Sequence, residues 1–202
     1  MKYILWVLAI VTISLVGYGG VVAAQDQIGV YFDTSAESVC LDVPSDALFN
    51  AYLILSNLTS SEVWGIGFRL QVEFPPENEG QIGRWALEWP PHAVQGDEGP
   101  TFPDSDHSIG LGLPLLASGG NAIFITWTFL VVDVFPVEFY LGPMESDVQG
   151  SGAPWYVGDN HEIVTLGVSS GSYGLPVAEL NGECGVVGVQ TSTFGRVKCL
   201  YR

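Results

Sequence analysis

The chain has 202 residues, of which 22 are Asp or Glu and only six Lys or Arg, for a formal net charge of −16. That balance disfavours nucleic acid and anionic lipid as partners, because holding a polyanion depends on neutralising phosphates with Lys and Arg. The length suits a single β-sandwich or barrel and is ample to bury a core without metal or dense disulfides.

The chain begins with one cation, Lys2, followed by an apolar run over 3–11 and a softer stretch ending in Val22, Ala23 and Ala24 before Gln25 and Asp26. This is the layout of a secretory signal peptide, residues 1–24, with small residues at the cleavage point. Gly17, Gly19 and Gly20 interrupt the run before it reaches membrane-spanning length. No Cys stands at the cleavage point to accept a lipid, and no later apolar run is long and charge-free enough to span a bilayer. One domain is expected over 25–192, in a secreted, periplasmic or extracellular location.

Period-2 alternation dominates the remainder. Phe49, Ala51, Leu53 and Leu55 share one side of a strand. In 64–74 the even positions Trp64, Ile66, Phe68, Leu70, Val72 and Phe74 are apolar, while Gly65, Gly67, Arg69, Gln71 and Glu73 make a wet face. Trp85, Leu87 and Trp89 share a face. Ile109, Leu111, Leu113 and Leu115 line another strand, and 122–134 is apolar on both sides, which suits a central strand covered on both faces. Residues 137–141 and 163–168 complete the set. Turn residues separate these runs at 57–61, 75–80, 90–103, 119–120, 149–154 and 169–174, and 90–106 reads as the longest irregular piece. The fold class expected is all-β, an antiparallel β-sandwich with about eight to ten strands, immunoglobulin-like in layout or of another sandwich type.

The order Leu55-Ser56-Asn57, then Gly65-Ile66-Gly67-Phe68-Arg69-Leu70, then the long strand over 122–132, then 163–168, resembles cohesin-like modules over about 130 residues. The resemblance implies a cohesin-like jelly roll as the alternative to an immunoglobulin-like sandwich, and a module that holds a partner in a cell-surface assembly. The ending, with Phe194-Gly195, Lys198 and Leu200-Tyr201-Arg202, also resembles that of a group of uncharacterised secreted bacterial proteins. There Trp usually stands at the position of Phe194 and a small residue at that of Cys199, and the match implies export and fold only.

Three cysteines, Cys40, Cys184 and Cys199, allow one disulfide and one leftover thiol in an oxidising compartment. Cys40 with Cys184 is the favoured pair of the three, since both flank strand-like segments near opposite ends of the domain. Gly167-Val168-Ser169-Ser170-Gly171 matches the nucleophile-elbow pattern, but Gly171, Gly174 and Pro176 break the helix that should follow, and no His comes after Ser169. A different order would have to recruit His107 with Asp133 or Asp159. His92, His107 and His161 lack the short-range partners of a zinc site. Asp104-Ser105-Asp106-His107 departs from the EF-hand pattern, with Leu115 at the closing position, and leaves only a looser calcium loop open. Trp155 and Tyr156, expected in a loop, are the candidate ligand contacts, since flat aromatics stack on sugars.

Together these features point to a secreted, non-catalytic binding or structural module of the bacterial envelope or extracellular matrix, with a protein or glycan partner and no resident cofactor. A carbohydrate-binding module and a secreted hydrolase are the alternatives. Residues 193–202 hold three cations, Arg196, Lys198 and Arg202, and read as a basic tail or edge strand.

Overall fold

The computed structural model describes residues 26–98, 102–146 and 150–182. The leader 1–24, Cys184, Cys199 and the basic ending 193–202 lie outside the described residues. No helix among the described residues is long and apolar enough to cross a membrane.

Two sheets face each other. The first comprises β1 (Gln27–Tyr31), β3 (Ala47–Ser56), β5 (Ile82–Glu88), β8 (Ala122–Val131) and β12 (Gly167–Val168), in the order β12-β1-β3-β8-β5. The second is built around β4 (Glu62–Glu73). Along one side of β4 lie β10 (Trp155–Val157), followed outward by β11 (Ile163–Thr165), and β9 (Val137–Gly142), followed by β13 (Ala178–Leu180) and β2 (Cys40–Leu41). On its other side are β7 (Asp104–Leu116) and then β6 (Ala93–Glu98). The sandwich was expected to be antiparallel throughout, yet both sheets are mixed: β1 runs parallel to β12, and β13 parallel to β2. Those short pairs join strands remote in sequence, so no hairpin dictates their direction.

The strands form where β-branched and aromatic residues are dense. Gly119 and Gly120, at φ of 62° and 79°, make the turn that returns β7 into β8. Alternation then sends one set of side chains inward. Ile66, Phe68, Leu70 and Val72 of β4 meet Leu53 and Leu55 of β3 and Trp127, Phe129 and Val131 of β8, all buried. Phe129 stacks on Phe49 at 5.5 Å and meets Phe139 edge-on at 5.6 Å, so it links both sheets.

Bulges adjust the expected pattern at three places. A register shift between Val63 and Gly65 buries Val63 and leaves Trp64 half-buried. Another between Arg84 and Ala86 turns Trp85 outward, 69% exposed, so it does not share a face with Leu87 and Trp89, which pack on the core. A third, at Leu53/Ile54, leaves Ile123 40% exposed, so β8 is covered fully on one face only. The expected irregular piece 90–106 contains β6 and the start of β7, and 163–168 divides between the two sheets with Leu166 at the crossing.

Replacing Phe129 by Ala should cost about 3–5 kcal/mol by cavity formation. Denaturant unfolding checks this, and a loss under 1 kcal/mol would contradict the placement of Phe129 at the centre of the core.

Candidate functional site

The strongest polar constellation among the described residues lies on the outward face of the second sheet. Since Phe68 and Leu70 point inward, Arg69, Gln71 and Glu73 of β4 point outward. Register places Asp106 and Gly142 beside Arg69, Asp104 and Tyr140 beside Gln71, and Glu138 beside Glu73. Arg69 donates from Nε to Asp104 Oδ1 at 2.7 Å and pairs through Nη1 with Glu145 at 2.7 Å. Gln71 donates to the same Asp104 at 3.3 Å. Asp106 is buried and accepts the backbone N–H of Glu145 and of Ser146 at 3.2 and 3.1 Å, and the Ser146 hydroxyl at 3.0 Å. That cap sets the turn after β9 and so aims Glu145 at Arg69.

The result is a fixed cation between two carboxylates. The hydrogen bond from Arg69 holds Asp104 below its usual range, and Asp104 in turn raises Arg69. Tyr140 donates to Glu138 at 2.7 Å, and burial, then Glu138, pushes its hydroxyl above the ordinary value. Arg69 and Asp104 keep side-chain exposures of 22% and 41%, and Glu145 68%, so the array is both ordered and reachable. Such a face can read hydrogen-bonding groups on a partner, because its donors and acceptors are set before binding.

Trp155 and Tyr156 sit in β10, not in an open loop, and neither offers a face to a sugar. The Trp155 ring lies against Gly67, where any side chain would collide with it, and the residue is 6% exposed. Tyr156 points inward and donates to Asp26 at 2.8 Å, the same buried carboxylate that accepts the Thr59 N–H at 2.8 Å. A signal for burial was present in the unbroken apolar run Trp155-Tyr156-Val157, but the pairing with Gly65, Ile66 and Gly67 is long-range.

Ser169 and His107 are not brought together. Ser169 lies in a turn beside Gly29 of β1 with its hydroxyl buried. His107 faces the core from β7, its Nε2 at 2.8 Å from Ser105 Oγ, stacked on Phe68 at 4.8 Å. Asp159 is occupied with the N–H of Glu62 at 2.7 Å, and Asp133 with that of Val134 at 2.8 Å. The stretch left open as a looser calcium loop is the start of β7, with Asp104 on Arg69 and Asp106 capping a turn. His161 packs edge-on against Trp64, and His92 is in an exposed turn. No group of three His, Cys, Asp or Glu side chains suited to a metal ion is gathered among the described residues. Cys40 stands on β2 opposite Glu179 of β13.

No family model matches the chain, and no curated protein does. Solved structures do match. The sixth cohesin of scaffoldin B from Acetivibrio cellulolyticus, solved with a dockerin, has a TM-score of 0.52 at 9% identity over 79% of this chain and 100% of that one. A type I cohesin from a cohesin–dockerin complex of Clostridium thermocellum reaches 0.50 at 8% identity over 78% and 92%. A type II cohesin domain from the cellulosome of Acetivibrio cellulolyticus reaches 0.50 at 10% identity over 78% and 95%. The fold is therefore a jelly-roll β-sandwich of the cohesin kind.

His107 supplies a pH signature. Burial, reinforced by Arg84 and opposed by Asp106, lowers its pKa from 6.5 to about 4. The unfolded chain takes up this proton near pH 6.5 and the folded chain only near pH 4, so acid favours unfolding across that interval. The loss should approach about 3 kcal/mol and level off below pH 4. Asp104, with its lowered pKa, acts below about pH 3.8, outside this window. Chemical denaturation of His107→Gln between pH 7 and 4 should show a flatter slope than wild type; parallel slopes would contradict the burial of a neutral imidazole.

Proposed function

We propose that the chain is an exported, non-catalytic binding module that docks a protein partner on the outward face formed by β7, β4 and β9. The observation that carries this reading is the Arg69 array, in which Arg69, Asp104, Glu145 and Gln71 are bonded together beside the Tyr140–Glu138 pair on the outward sheet face. The fold supports it, since two of the cohesins named above were solved with dockerin partners. A hydrolytic reading has no corresponding support, because Ser169 and the imidazole of His107 belong to separate surroundings.

The test compares capture of proteins from the medium of the source organism on immobilised full-length chain. Tyr140→Arg and Gln71→Arg place a bulky charge on the face and should weaken capture of a discrete protein at least about tenfold, a loss typical of a blocked hot spot. Thr126→Arg, on the outward side of the other sheet, should leave it intact. Loss with Thr126→Arg and retention with Tyr140→Arg would move the docking surface to the first sheet.

Export rests on the leader composition of 1–24. The protein recovered from the medium should begin at Gln25 on N-terminal sequencing; recovery only from the cytoplasm with Met1 retained would end the export reading.

A further inference from the structure

At one end of the sandwich, between the end of β4 and the start of β5, lies a cleft of about 600 Å³. Its walls are apolar: Val72, Phe74, Pro76, Ile82, Phe102 and Pro103. Gly80, Glu73 and Glu79 also line it; both glutamates are exposed, and neither side chain has a hydrogen bond or ion pair among the described residues. An apolar cleft whose described lining carries two carboxylates and no cation suits a segment that presents bulky apolar side chains next to Lys or Arg, whose stems pack on carbon while their heads meet the acids.

The chain holds such a segment, and the described residues end at Gly182, just after β13. Leu180 of β13 lies opposite Val137, and Glu179 opposite Glu138, which in turn lies opposite Glu73. Two strand spacings, about 10 Å, therefore separate the exit of the described chain from the acidic side of the cleft. Sixteen positions run from Gly182 to Lys198, an extended reach of about 50 Å. Residues 193–202 contain Phe194, Arg196, Lys198, Leu200, Tyr201 and Arg202, so bulky apolar side chains and cations are interleaved in a sequence that is otherwise strongly acidic.

We propose that this cleft is the seat of the chain's own basic ending, 193–202, with its aromatic and aliphatic side chains against the apolar walls and its cations at Glu73 and Glu79. The cleft lies at the end of the sandwich and meets the docking face only at Glu73, which points outward beside Glu138.

The lysine content makes the test clean, because the chain has only Lys2 and Lys198. Zero-length carbodiimide cross-linking of the full chain at low micromolar concentration, followed by peptide mass spectrometry, should give a Lys198 amide to Glu73 or Glu79 within a single chain. A Glu73→Gln, Glu79→Gln double variant, changed only at exposed positions, should lose that product without diverting it elsewhere, and its circular dichroism should match wild type. Three results would overturn the proposal. Lys198 could link evenly to remote carboxylates such as Asp33 and Glu88, link only between two chains in covalent dimers, or form no cross-link at all.

Discussion

Along β4 the side chains alternate strictly between Ile66, Phe68, Leu70 and Val72 on one side and Gly67, Arg69, Gln71 and Glu73 on the other, and most of the molecule is arranged around that parity. The inward set closes the core against β3 and β8. The outward set makes the polar array. A slip of one residue would carry Phe68 into water and Arg69 into the core, so both faces specify the same register. Two contacts lock it from outside the strand: the Trp155 ring accepts only a glycine at position 67, and His107 stacks on Phe68 directly across the β4–β7 pair.

The parity of β4 was legible from Gly65 onward, where apolar residues alternate with glycine or polar ones without interruption. The same holds for β9 and for β3 as far as Leu53, beyond which a bulge intervenes and Ile54, Leu55 and Ser56 are all buried. Where a bulge intervenes, alternation misleads, as at Trp64 and Trp85, because one extra residue reverses the faces beyond it. Strands of two or three residues, such as β2, β11, β12 and β13, carry too few positions to show any period. Their pairing is decided by partners more than a hundred residues away, or by a sheet crossing such as that at Leu166.

The candidate site was half legible. Arg69 and Gln71 belonged to a recognisable wet face, but nothing in the linear order joins them to Asp104, Tyr140 and Glu145, which arrive on β7, β9 and the turn after β9. The aromatic pair Trp155 and Tyr156 misdirected attention for the opposite reason: a Gly- and Pro-rich approach resembles a loop, whereas β10 is pinned between β4 and β11. Burial there serves register and the Asp26 network, not a ligand.

Carboxylates report directly on the docking claim, since they surround Arg69 and also populate the other surfaces. Carboxyl labelling of the full chain, alone and with the protein it retains, should show slower modification of Glu145 and Asp104 in the complex while Glu88 and Asp33 react at unchanged rates. Protection of Glu88 with Glu145 and Asp104 left unchanged would contradict the assignment of the β7, β4 and β9 face as the binding surface.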